Sequence, residues 1–347
     1  MRRKVQLFLF SIFICLNLEA QIGGSEDFIF LELPSAARQA GLGGNLISIS
    51  DADINLAYSN PASLNEKHND QISFNYNSYL AGIKYSNVAF AKHYKDLGTF
   101  SANVQYFNYG EFEELDEFGN QLGTFKPSEY MVSLGASRAI DSSFTVGAHL
   151  NYISSQLYTA TASALAMDLG AHYQIQEQQL SMGFVLKNIG FALSDLSENE
   201  ETEVPFEVQF GITKRLAKSP LRFSLTLENL QQWDLTYQDP SELNQIDPLT
   251  GEIIIIEDPS FLDKLMLHTV FGTEFLLGEN MHFRFGYNYR RRQELKIDTK
   301  PGTAGFSWGF GLKVNKFHLN YGRGTYIVGQ GTNQLSISTR LGYFKKK

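Results

Sequence analysis

Cysteine is all but missing from this chain of 347 residues: the one it has, Cys15, lies inside an apolar stretch near the N-terminus. Arg2, Arg3 and Lys4 precede that stretch, which runs from Val5 to Leu16, and Leu18-Glu19-Ala20 before Gln21 offers a cleavage site. Residues 1–20 therefore read as a secretory signal peptide, too short and wrongly flanked for a membrane span. A lipoprotein signal would need a small residue before Cys15, and Ile14 is not one. The expected mature chain has no disulfide and must close its core another way. Long apolar runs are missing too. After residue 20 none exceeds four residues, as at Ile253–Ile256, so a helical span of about eighteen is excluded. There is no basic surplus: the formal net charge is −8, which disfavours nucleic acid as a partner. No GxSxG, HExxH or P-loop motif occurs. The histidines, His68, His93, His149, His172, His268, His282 and His318, are scattered without metal spacing. The expectation is no cofactor, no metal site and no enzyme activity, with lumenal hydrogen bonding as the role of His282 and His318.

What the chain does have is alternation. Met281, Phe283, Phe285, Tyr287 and Tyr289 share one face of an extended segment, and His282, Arg284, Gly286, Asn288 and Arg290 share the other. Phe206 to Thr213, Arg222 to Glu228 and Phe317 to Gly322 alternate in the same way. Such strands suit a soluble sandwich, whose polar face meets water, or a membrane barrel, whose apolar face meets lipid.

The gaps decide. The pattern predicts about fourteen strands, at 71–80, 83–94, 99–110, 128–140, 144–157, 163–176, 179–190, 205–217, 220–233, 265–278, 280–293, 304–315, 316–327 and 332–344. Connections after even strands are tight, and those after odd strands are mostly longer, at 111–127, 158–162, 191–204, 234–264 and 294–303. Short periplasmic turns and long external loops belong to outer-membrane barrels. The last strand, with Leu335, Ile337, Thr339, Leu341 and Tyr343 on one face and Phe344 at its end, suits the barrel-assembly signal. The fold expected is all-β: a transmembrane antiparallel barrel over 71–347, multi-pass in the outer membrane of a Gram-negative cell.

Residues 21–70 do not alternate. Their small side chains, glycines and apolar residues suit a hatch packed inside the barrel better than a periplasmic tail. Asp51 is a fair N-cap for a helical turn ending before Asn60-Pro61. Asp51-x-Asp53-x-Asn55 begins like a calcium loop, but Leu56 stands where glycine belongs and Ala62 where glutamate belongs. The glycine pairs at Gly43-Gly44, Gly322-x-Gly324 and Gly329-x-Gly331 follow no strand-to-helix pattern, so a nucleotide cradle is excluded.

Leu33-Pro34-Ser35-Ala36-Ala37-Arg38, Gly41-Leu42-Gly43-Gly44, Asp51-Ala52-Asp53 and Asn60-Pro61-Ala62-Ser63-Leu64 resemble the N-terminal signature of the PorV/PorQ family, Bacteroidetes outer-membrane barrels of the FadL-like superfamily. Phe30 to Arg38 and Asp51 to Ala57 look closest to its PorQ branch. The resemblance implies a fourteen-stranded barrel with an N-terminal hatch built on Pro34, Ser35, Arg38, Gly41, Gly43, Gly44, Asp51, Asp53, Asn60 and Pro61. It implies a place in the type IX secretion system, holding a PorZ-like surface protein beside the PorU–PorV sortase that joins cargo to lipopolysaccharide.

The long loops are acidic. Glu111, Glu113, Glu114, Asp116 and Glu117 fall in one, and Asp195, Glu198, Glu200, Glu201 and Glu203 in the next. In the longest, Asp247 opens a turn and Ile253, Ile254, Ile255 and Ile256 follow, to be covered either by the barrel mouth or by a partner. A basic protein surface, or cations bridging to lipopolysaccharide, would suit this rim. The expected function is anchoring a surface partner, in contact with outer-membrane lipid. The alternative is a FadL-like transporter of fatty acids or other hydrophobic compounds, which needs an apolar pocket near the hatch.

Overall fold

A computed structural model describes residues 27–197, 201–236, 259–296, 302–327 and 329–344. The signal-peptide reading and the candidate partner loop Asp247 and Ile253–Ile256 lie outside the described residues. Fourteen strands close into one antiparallel barrel. They are β1 (Gln71–Ser78), β2 (Lys84–Tyr94), β3 (Gly98–Asn108), β6 (Ser128–Ala139), β7 (Phe144–Leu157), β8 (Ala160–Ile175), β9 (Leu180–Ser194), β10 (Glu207–Arg215), β11 (Leu221–Leu227), β12 (Thr269–Leu277), β13 (Met281–Asn288), β14 (Phe306–Val314), β15 (Phe317–Ile327) and β16 (Gln330–Arg340). Each pairs with its sequence neighbour, and β1 closes on β16 with Gln71 opposite Arg340 and Ser78 opposite Asn333.

Burial identifies the solvent on each face. On β1 the aromatics Phe74 and Tyr76 are 47% and 39% exposed, whereas Ser73, Asn75 and Asn77 are buried. The same inversion holds along β11, where Phe223 is exposed and Ser224 and Thr226 are buried. An apolar exterior around a polar interior suits a hydrocarbon solvent outside and is the reverse of a soluble sandwich. No helix among the described residues is long and apolar enough to cross a membrane; the crossing is made by strands.

Five details differ from the sequence pattern. The segment 111–127 is not a plain loop but a second, two-stranded sheet, β4 (Phe112–Leu115) with β5 (Gln121–Phe125). Its turn is built by Asp116, whose carboxylate accepts from the Phe118 and Asn120 amides at 2.9 and 2.8 Å. The strand at 280–293 stops at Asn288, because the Asn288 side chain accepts from the Arg291 amide at 2.9 Å and starts the helix Tyr289–Leu295. A further helix, Phe261–Leu267, capped by Ser260, precedes β12. The last strand ends at Arg340, and Leu341–Phe344 form a 3-10 turn, with the Leu341 amide donating to Asp70 O at 2.8 Å. The β7–β8 connection spans only Tyr158–Thr159, so one presumed long loop is short.

Residues 27–70 run inside the barrel. They carry the 3-10 turns Ile29–Glu32, Ile54–Tyr58, Pro61–Ser63 and Glu66–His68 and the helical turn Ala37–Gly41. The described part of this segment starts beside the long-loop end, where the Glu203 amide donates to Asp27 Oδ2 at 3.2 Å. It leaves at the short-turn end, into β1 at Gln71.

Candidate functional site

The lumen is filled by this segment, and two different surfaces hold it. The first is ionic. Glu274 on β12 lies in register with Arg222 on β11 and Arg284 on β13, so one cross-strand row points three charges inward. Arg38 reaches that row from the hatch: its Nε donates to Glu274 Oε1 at 3.1 Å. Its other edge grips Asp51 with both nitrogens, Nη1 to Oδ1 at 2.9 Å and Nη2 to Oδ2 at 2.8 Å, and Nη1 also meets Asp53 Oδ2 at 3.3 Å. Arg222 donates to Glu274 Oε2 at 2.7 Å and to Asp51 Oδ2 at 3.2 Å, and Arg284 donates to Glu274 Oε1 at 3.0 Å. Three guanidinium groups thus face three carboxylates, which makes burial of the cluster tolerable. Burial pushes the Asp51 carboxyl up, but the paired Arg38 and then Arg222 outweigh it and hold it well below the usual carboxylate range.

Asp51 is thereby a hatch contact, as expected, but not the N-cap. Asp53 does that work, accepting from the Asn55 amide at 3.2 Å, while Asp51 Oδ1 accepts from the Asp53 amide at 3.2 Å. A carboxylate held in the arginine fork has no geometry left for the later turn.

The remaining hatch residues settle around this cluster. Pro34 O accepts from Tyr85 Oη at 2.8 Å. Ser35 donates through its amide and hydroxyl to Gln39 Oε1 at 2.9 and 2.8 Å. Gly41, Gly43 and Gly44 lie against Gly309, Tyr287 and Glu228. Asn60 Nδ2 donates to Ile47 O at 2.6 Å and to Ala171 O of the wall at 3.2 Å, and its Oδ1 accepts from the Ala62 amide at 2.9 Å. Pro61 follows it onto β7 and β8. This close approach requires glycine on the wall, as two positions illustrate. A Cβ on Gly322 would stand 2.0 Å from Ala37 O, and one on Gly170 would stand 2.1 Å from Asn60 Oδ1.

The second surface is apolar. Phe28, Phe30 and Leu31 fill a chamber at the long-loop end of the lumen, walled by Tyr85, Phe107, Met131, Ile153 and the alanines Ala162, Ala164 and Ala166. Phe30 meets Phe107 edge-on at 4.9 Å between ring centres, and Tyr85 stacks on Phe107 at 4.4 Å. Below it, β8 and β9 slip register between Met167 and Leu169, where Asn188 takes a left-handed backbone. Asp168 fills that break, accepting from the Asn188 amide at 2.8 Å and from Asn151 Nδ2 at 2.9 Å. Small cavities of about 10 and 20 Å³ flank the hatch on this side, lined in part by Tyr58 and His149, each with room for about one water. Among the described residues, both side-chain amide atoms of Asn77 and of Asn103 lack a protein partner, which leaves them free to bond water.

The family resemblance implied Arg38 as a hatch residue but not its partners on the wall. Arg222 and Arg284 stand on polar strand faces, and parity alone would have aimed them inward. Nothing local to Phe28 and Phe30 marks the chamber they enter.

No protein-family model and no curated protein match the chain. Solved structures do. The Pseudomonas putida toluene transporter TodX aligns over 87% of this chain and 96% of its own, at 13% identity and a TM-score of 0.52. A TodX monoaromatic hydrocarbon channel mutant aligns over 89% and 98%, at 14% identity and a TM-score of 0.53. A Pseudomonas aeruginosa FadL homologue aligns over 88% and 98%, at 10% identity and a TM-score of 0.44. The likeness is one of fold alone: the closed barrel of fourteen antiparallel strands seen here shares its overall architecture with the TodX structures.

Proposed function

We propose that this protein is a non-enzymatic outer-membrane channel for small hydrophobic compounds, closed by its own N-terminal segment, with the long-loop end facing outward. One observation carries the reading: a lumen whose wall is mostly polar contains an apolar aromatic chamber, and the chain's own Phe28–Leu31 occupies it. A compound of similar size and polarity could take their place. The backbone at Phe28 is left-handed, with φ 55°, a strain of about 1–2 kcal/mol that favours release. The alanine-lined, register-broken wall between β8 and β9 beside the chamber offers a route out. The fold shared with a toluene transporter supports the same reading.

Proteoliposomes holding the full barrel test it. Uptake of radiolabelled toluene or oleate above empty vesicles is expected, faster for Phe30→Ala. No uptake by either form would sink the channel reading.

A second reading rests on the outer hairpin. β4–β5 presents Phe118, 89% exposed, together with Leu115 and Leu122, amid Glu113, Glu114, Asp116 and Glu117. An apolar tip on an acidic ribbon suits a protein partner with a basic rim. That would be the anchoring role in type IX attachment implied by the N-terminal resemblance. Affinity purification of the tagged barrel from outer membranes tests it: a surface protein recovered with the native hairpin and lost with Phe118→Ser supports anchoring, and recovery of none opposes it.

A further inference from the structure

The outward, lipid-facing side of the described barrel strands carries few charges, and all are basic: Lys84, Lys92, Arg138, Lys214 and Arg323. Four of them sit at strand ends. Lys84 opens β2, and Lys92, Arg138 and Lys214 lie within two residues of a short turn. Lys92 has its own carboxylate, Asp70, at 2.6 Å. Arg323 is different. It stands inside β15, in register with Trp308 of β14. Gly322 beside it touches the hatch, so strand alternation turns Arg323 outward.

A charge in that position is costly unless it lies near the interface and finds a partner. The protein supplies only a neutral one. Arg323 Nη1 donates to Asn333 Oδ1 at 2.8 Å, and Tyr321 Oη donates to the same oxygen at 2.7 Å. Among the described residues no carboxylate pairs with Arg323, and its Nε and Nη2 have no protein acceptor. Arg323 is also part of the lining of a groove of about 300 Å³, together with Phe306, Trp308, Thr325 and Gln330. Phe306 and Trp308 are half-exposed and belong to the aromatic girdle near the long-loop end. The guanidinium is held by Asn333, Arg323 lines the groove, and an aromatic floor suits an acyl chain. A guanidinium edge matches the paired oxygens of a phosphate better than any other group a membrane offers.

We propose that this groove binds the phosphate group of an acyl-chain lipid in the leaflet at the long-loop end, with Arg323 as the phosphate ligand and Trp308 and Phe306 against the lipid body. The site is independent of whether the lumen conducts.

Native mass spectrometry of the full barrel in detergent, titrated with monophosphoryl lipid A or with phosphatidylglycerol, tests the proposal and separates the two lipid sources. Arg323→Gln should weaken binding of the preferred lipid about tenfold, the loss expected for one charge-assisted phosphate contact. Arg138→Gln, at the opposite rim, should leave it unchanged. Equal binding to the wild type and Arg323→Gln, or equal losses in both variants, would overturn the site. Heat-modifiable gel mobility reports whether the variant is folded. If Arg323→Gln fails to fold, the wild type alone decides: dephosphorylated lipid A should bind about tenfold more weakly than its phosphorylated form. Equal affinity overturns the proposal, as does inorganic phosphate binding as tightly as the lipid.

Discussion

One segment is held inside the barrel in two unlike ways. Around Arg38 the hatch is fastened by charges, short hydrogen bonds and glycines cut to its backbone. Around Phe30 it is held by apolar contact beside small cavities. Removing the first part would separate Arg38 and Asp51 from Arg222, Glu274 and Arg284 on the wall and break the charge pairing of the cluster. Withdrawing the second would uncover only hydrocarbon, which a hydrophobic solute could cover again. The same lumen therefore has a fixed half and a half that can yield. The difference follows from the cost of unpaired burial, several kilocalories for a charge and much less for a methylene group.

The sharpest way to break this contrast is Glu274→Ala. It leaves Arg38, Arg222 and Arg284 facing one another and should cost about 3–5 kcal/mol. The heat-modifiability midpoint should fall, and hydrogen-exchange protection from Ser35 to Asn60 should collapse. An unchanged midpoint would mean the cluster does not anchor the hatch. Phe30→Ala should cost about 3 kcal/mol of packing, confined to residues 27–33. Exchange there should accelerate while the barrel midpoint stays put. A midpoint drop like that of Glu274→Ala would show that the two halves are one cooperative unit.

Smaller effects sharpen the picture. Asn60→Ala removes the bonds to Ile47 O and Ala171 O and should cost about 1–2 kcal/mol, read as faster exchange at Ala62 and in the neighbouring backbone. Acid should act on the fixed half alone. Asp51 has its folded pKa depressed, so its contribution is fully present above the ordinary carboxylate value near 4 and is lost as pH falls below it. Hatch protection measured by pepsin cleavage should hold from pH 7 to about 5 and decline below about pH 4. A decline near pH 6 would implicate a histidine instead.

Much of the wall was legible in the chain. Fourteen barrel strands stand where alternation placed them, apart from ends displaced by the caps at Asn288 and Ser260, by the turn after Arg340, and at β11, which stops at Leu227 instead of reaching residue 233. The hairpin at 112–125 escaped notice because its charges hid a short alternation. The hatch residues were visible as a segment out of rhythm, but the chemistry of Arg38 was not, since its carboxylate partner Glu274 lies 236 residues away.

That division has a physical reason. Period-two patterning is local: each strand carries the imprint of lipid on one side and a wet, polar lumen on the other, so the sequence by itself determined the barrel, its polarity and the asymmetry of its two ends. Which side chains meet across the lumen depends on closure of β1 on β16 and on register around the whole ring. Only the tertiary structure could decide that Arg38 is clamped and that Phe30 sits in a chamber.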